Sequence, residues 1–366
     1  MFPLLRRYNG GAGGRDERAN GTMMGYWWRF FARERASASP AARPTAAVRQ
    51  PSVSKREEST NGTVTGDEIE ERFCRFILNM PDSTSDAAQL AREQSILLRL
   101  KEQCDSGRFD VRTLPRMPTV LPQLMRAMKS DKLNGAQLAD LIRRDPVLVG
   151  EVMRVTGSVA YRTAHPVGSL QHAVVLLGQL GLRHVVSVYV MKPILMASAG
   201  ASGQIVGQRL WDHAERCAHA AVYLSKGQCD PFEAQLAGLV GYTGLGAVAR
   251  LLDKELGQAL PACSSAFING CARIATQLSV QAGRHWELPA VVLDALIEHA
   301  DGDAGRMALP MSRTLHVAQR LAMFQLLSEQ GLLDGEAGYA DERVTAFPEQ
   351  LLARCQQDLR QNFAEP

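Results

Sequence analysis

Eight histidines, seven cysteines and one glycine-rich stretch are the parts of this 366-residue chain that could carry chemistry. A tight metal site needs three or four converging ligands, and two histidines one helical turn apart are a common way to begin one. No H-E-x-x-H motif and no i, i+4 histidine pair occurs. His213 and His219 stand six residues apart, so on one helix they point in different directions. His299 follows Glu298, and His285 precedes Trp286. Histidines so isolated read first as packing or surface residues. One unconventional set, His213, His219, Glu298 and His299, stays open as a divergent metal centre. Cysteines 74, 104, 217, 229, 263, 271 and 355 are dispersed, with no C-x-x-C pair. They read as reduced, buried thiols in a cytoplasmic protein. Cys217 and His219, two apart on a helix, do not face each other, and no G-x-S-x-G nucleophile turn exists.

The stretch "AGLVGYTGLGAVARLL", Ala237 to Leu252, holds Gly238, Gly241, Gly244 and Gly246. A phosphate loop needs a lysine and a hydroxyl directly after its last glycine, but the first cation here is Arg250. Glycine costs a helix about 1 kcal/mol relative to alanine. These four therefore need a packing reason, and a close helix–helix turn supplies one. The charges also limit function. Residues 1–60 carry a net +6, and the remainder a net −3. The body of the chain thus has no bulk electrostatic demand for nucleic acid. Arg143 and Arg144 lie between two helices as in a helix-turn-helix, but the second helix adds only Arg154.

The elements that must position these residues are helical. Residues 1–64, rich in Gly, Ala, Ser, Pro and Arg, read as a disordered basic tail. Within it "MMGYWWRFFARER" sets Trp27, Trp28, Phe30 and Phe31 beside Arg29, Arg33 and Arg35. That composition suits a peripheral membrane contact or a partner-docking helix. From Thr65 a capping-box spacing opens a helical extension over 65–110, with Ile69, Phe73, Phe76, Ile77 and Met80 on one face. Asp145-Pro146 and Asp230-Pro231 each read as an N-cap followed by Pro at the first helical position. Ser169 caps a helix, Gly181 begins the next, and Gly227 reads as a helix terminator. No hairpin signal appears. The expected fold class is all-α. The small-residue loop at 197–207 divides residues 111–335 into helical subdomains over 111–200 and 207–335, and a C-terminal helix lies within 336–366. No run reaches the roughly 18–20 apolar residues of a membrane span.

In order and spacing these blocks resemble the HDOD domain, an HD-related output domain of bacterial signalling proteins. "LPRMPTVLPQLMRAMKSDKLNGAQLADLIRRDPVLVGEVMRV" is similar to the family's opening. Pro166, Ser169, Ala173, Leu177 and Gly178 keep the pattern of the segment after it. Gly157-Ser158 stands where the family usually has Asn-Ser. "LWDHAERCAHAAVYLS" resembles the helix that begins the HD-like half.

The resemblance implies a degenerate site. The parent HD superfamily holds a metal with a histidine, a consecutive His-Asp pair and a later aspartate. His213 fits the first position, Gly241-Tyr242 falls where the pair would be, and Gln319 falls near the last. A glycine, a phenol and an amide do not replace an imidazole and two carboxylates. The expectation is therefore a non-catalytic signalling protein with no cofactor. It would act through a protein partner, within a second-messenger pathway of the cyclic di-GMP type. Trp211, His213, Gly241, Tyr242, His299 and Gln319 would line the vestigial pocket. The alternatives are a divergent HD-type metallophosphohydrolase and a nucleotide sensor using the old cavity.

Overall fold

The structure is a computed structural model that describes residues 64–81, 87–105, 135–157, 167–197, 203–256, 262–301, 307–334, 339–340 and 347–363. The basic tail, its aromatic segment at 23–35 and the Leu-Pro-x-x-Pro opening lie outside the described residues. Twelve helices account for nearly all the described structure: α1 (Gly66–Leu78), α2 (Ala87–Asp105), α3 (Gly135–Ile142), α4 (Pro146–Thr156), α5 (Leu170–Ala197), α6 (Gly203–Leu224), α7 (Pro231–Val240), α8 (Thr243–Leu256), α9 (Ser265–His285), α10 (Ala290–Ala300), α11 (Pro310–Glu329) and α12 (Glu349–Phe363). Two-residue strands β1 (Val64–Thr65) and β2 (Tyr339–Ala340) pair in parallel, Val64 with Tyr339. Apart from this short ladder the described residues form helices and their connections, the all-α class that the periodicity predicts.

The helix starts are those the caps dictate. Thr65 accepts from the Glu68 amide, and Asp145 accepts from the amides of Val147 and Leu148. Asp230 accepts from Phe232 and Glu233, and Ser169 accepts from His172. Each cap satisfies amides that have no intrahelical partner. The second part of α5 begins at Gly181, as the sequence reading has it, after a bend in which Gly178 takes a positive φ of 65°, a backbone that costs glycine least. One boundary differs from the sequence reading. Helix α6 stops at Leu224, and a turn carries the chain to Gly227 (φ 72°).

The chain forms two compact units, with the division inside α5 at Gly181–Leu182, ahead of the loop at 197–207. In the first, α3 packs on α4 through a small core that includes Leu138, Ile142, Leu148 and Val152. The second holds α1, α2, the rest of α5 and α6–α12. At its centre α6 packs on both α7 and α11, while α8 and α9 pair beside them. The glycine stretch is the turn between α7 and α8, and its glycines let helices touch. A Cβ on Gly238 would lie 2.7 Å from the Ala218 Cα of α6, and one on Gly244 would run into the Ala275 carbonyl of α9. Helix α1 buries Ile69, Phe73, Cys74, Ile77 and Leu78 against α6, α8, α9 and α11. Helix α1 of the extension is therefore part of the core of the second unit.

Candidate functional site

Four helices and one turn of the second unit converge on a buried polar cluster. Helix α6 places His213 in the interior because its neighbours Leu210, Ala214 and Cys217 belong to the same buried face. The His213 ring tilts against Phe73 of α1 at 4.4 Å and meets the edge of Tyr242 at 5.3 Å. Tyr242, in the α7–α8 turn, lies 6.0 Å from the His299 ring of α10, which lies 6.1 Å from His316 of α11. Gln319, one turn along from His316, sets its amide over Gly241, where a Cβ would collide with Nε2. Neither amide atom of Gln319 finds a hydrogen-bond partner in the protein, and His213 Nε2 finds none either. His213, Gly241, Tyr242 and Gln319 thus come together from three separate parts of the chain, with His299 beyond the phenol. Trp211, two residues before His213, points elsewhere, to the Lys192 ammonium 5.6 Å from its ring.

The heart of the cluster is a residue that sequence reasoning missed. Glu70 of α1 accepts a hydrogen bond from the Tyr242 phenol at 2.7 Å and forms an ion pair with Arg320 of α11 at 2.6 Å. Arg320 also donates to the Gly66 carbonyl at 2.7 Å, which ties the guanidinium to the first turn of α1. Burial alone would raise the Glu70 carboxyl. Arg320, His299 and the phenol outweigh it and bring the group down to about 2. Burial, reinforced by the Glu70 charge, pushes the Tyr242 phenol well above its usual range. Burial takes His213 down to about 3 and His299 to about 4. At neutral pH the cluster therefore holds a carboxylate–guanidinium pair, a neutral phenol and two neutral imidazoles.

This donor set does not fit the metal of the parent HD enzymes. Gly241 offers no ligand, Gln319 offers an amide, and Tyr242 is held as a phenol that already donates to Glu70. The Glu70 carboxylate, the nearest acid, is committed to Arg320. Among the described residues, no three His, Cys, Asp or Glu side chains are grouped to hold an ion. The unconventional set is not assembled either. His219 Nε2 bonds Asp358 of α12 at 2.5 Å, and Glu298 accepts from the Leu309 amide at 3.5 Å. A cavity of about 310 Å³ borders the cluster, lined by Asp67, Glu70, Arg273, His299, His316 and Arg320 among others.

Two of the missed residues left a signal. Arg320 is a cation within the apolar run "LHVAQRLAMFQLL", and His316 shares its face. Glu70 left none, since it sits on an exposed-looking acidic turn 250 residues from its partner.

Comparison with known proteins agrees with this architecture. A structure from Shewanella amazonensis SB2B, provisionally named a metal-dependent phosphohydrolase, is 16% identical, with a TM-score of 0.51 over 74% of this chain and 99% of that one. At that identity the likeness is one of fold. An HDOD domain protein from Geobacter sulfurreducens is 17% identical, over 73% of this chain and 100% of that one, at a TM-score of 0.46. A protein from Marinobacter aquaeolei VT8, provisionally assigned to signal transduction, is 20% identical, over 75% of this chain and 64% of that one, at 0.48. No match is found among curated proteins. The family model for the HDOD domain matches residues 114–301, more than half of the chain, and the protein belongs to that family.

Proposed function

We propose that this HDOD protein is a non-catalytic regulatory component of bacterial signalling that works by binding a protein partner. One observation carries the reading: the polar centre of the HD-like half is filled by the protein's own Glu70–Arg320 pair, capped by Tyr242. A buried pair of this kind is costly to break, about 3–5 kcal/mol when one partner is removed. The carboxylate nearest the old metal position is therefore committed to Arg320 rather than available to a metal. The buried free thiols at 74, 104, 217, 263, 271 and 355 suit a reducing cytoplasm. In this reading the segment around Trp27, Trp28, Phe30 and Phe31 supplies a second, peripheral contact with a membrane or a partner.

The test is hydrolysis by the purified full chain. Bis(p-nitrophenyl) phosphate and cyclic di-GMP are the substrates, with Mg²⁺, Mn²⁺ or Fe²⁺ added. The expected result is no turnover above buffer. Metal-dependent turnover that disappears in His213→Ala would overturn the reading.

A second reading rests on His299. Both its ring nitrogens are sealed from solvent with no partner in the protein, and the ring lines the 310 Å³ cavity. A small polar ligand such as a nucleotide would supply the missing bonds. A panel of nucleotides in a thermal-shift assay tests this, because a ligand that binds only the folded state raises the melting temperature. A shift in the wild type that His299→Ala abolishes would favour the sensor.

A further inference from the structure

Helices α2 and α9 form a groove that shares Arg273 with the lining of the candidate-site cavity and otherwise lies apart from it. Helix α2 is fixed there by its buried face, Ile96, Leu100 and Cys104, and by Glu93, which accepts from the Ser264 amide at the start of α9. Beside that face runs a second stripe, Gln94, Leu97, Leu98 and Lys101, at i, i+3, i+4, i+7 spacing. Helix α9 answers with Gly270, Arg273, Ile274 and Gln277 at the same spacing. Together the two stripes enclose about 510 Å³. Gly270 lets the helices approach, since a Cβ there would lie 2.7 Å from Leu97 Cδ1. The floor is apolar, and Leu98 is 63% exposed, far more than a buried packing residue. The rim is basic. Lys101 and Arg273 are exposed, and among the described residues neither side chain takes part in an ion pair.

We infer that this groove docks an acidic amphipathic helix of a partner protein, with apolar anchors on Leu97, Leu98 and Ile274 and carboxylates on Lys101 and Arg273. The inference rests on the adaptor reading above and names its surface. A stripe spanning seven residues is about 10 Å long, so a helix laid along it would set two turns of anchors in the groove. Charge selects the occupant. The chain's own aromatic segment carries Arg29, Arg33 and Arg35 and would meet like charge at both rim positions.

The experiment uses the full chain and two fluorescein-labelled synthetic helical peptides. Both carry Leu at i, i+3, i+4 and i+7. One has Glu and the other Lys at the flanking positions, and binding is read by anisotropy. The Glu peptide is expected to bind the wild type. It should bind about tenfold more weakly, or not at all, to the double variant Lys101→Glu/Arg273→Glu and to Leu98→Asp. The Lys peptide should gain affinity for the double variant. Unchanged melting curves would show that these exposed substitutions leave the fold intact. Failure of the Glu peptide to bind, equal binding of both peptides, or insensitivity to the charge reversal would overturn the inference. So would a wild-type dimer that Leu98→Asp dissolves, which would assign the groove to a second copy. A protein that hydrolyses nothing and ignores the peptide loses the groove but keeps the adaptor reading.

Discussion

Glu70 joins an N-terminal helix to residues more than 170 positions away, and its charge is held by one guanidinium and one phenol. Its folded value, about 2, lies below its ordinary 4.5. The pair therefore contributes stability that is fully present above about pH 4.5 and is lost as pH falls toward 2. Glu70→Gln should cost about 3 kcal/mol, the lower end for breaking a buried pair, because Arg320 is left inside without its partner. Urea unfolding at neutral pH measures this. The variant should also lose the part of the acid dependence that lies between about pH 4.5 and 2. A variant as stable as the wild type would mean that the pair is dispensable.

At the scale of elements, two contacts are testable. The Gly244 amide donates to Ser279 Oγ at 2.9 Å, and its missing side chain lets α8 lie on α9. Gly244→Ala must push the helices apart, and the cost should be about 1–3 kcal/mol, as for other overpacked sites. A drop in melting temperature checks it. Helix α12 is held on α6 by His219–Asp358, by Phe363 edge-on to His219 and by Arg216 stacked over Phe363 at 4.7 Å. Asp358→Ala should speed amide exchange through Glu349–Phe363 while leaving α7 and α11 protected. Uniform loss of protection across all helices would show that α12 is not a separable unit.

Much of this level was legible in the sequence. The Asp-Pro starts, Ser169 and Thr65 announce their helices because capping is local chemistry. The glycine stretch announces a tight turn for the same reason. His213, Gly241, Tyr242 and Gln319 could be aligned by family pattern. Trp211 could not be excluded without knowing which side of α6 faces the cluster. Glu70 stayed hidden because an ion pair spanning 250 residues leaves no periodicity to read.

For the whole molecule, the histidines predict how stability varies with acidity. Burial holds His184 at about 3, His213 at about 3 and His299 at about 4, against 6.5 for a free imidazole. Folded pKa values below the unfolded one mean that the unfolded chain binds more protons. Their contribution to stability is therefore complete above about pH 6.5 and declines as pH falls toward 3, while Glu215, which burial raises to about 8, acts the other way and loses its contribution as pH rises toward 8. In a Glu215→Gln variant, which removes the opposing group, the urea midpoint should drop steadily below pH 6.5, well before any carboxylate of ordinary pKa titrates. A midpoint that stays flat down to about pH 5 would contradict this.

The placement of α1 also has a consequence in time. Arg72 of this helix bonds the carbonyl of Leu332, 260 residues later. At roughly 5–20 residues per second, the ribosome delivers that partner roughly 13–50 s after α1 has emerged. Until then the core that Ile69, Phe73 and Ile77 enter lacks α11, one of its walls. The helix is among the first of the described elements to be synthesised, and its packing is complete only once α11 has followed. A nascent chain halted before α11 should therefore present this apolar face to chaperones, and a chain released after α12 should not.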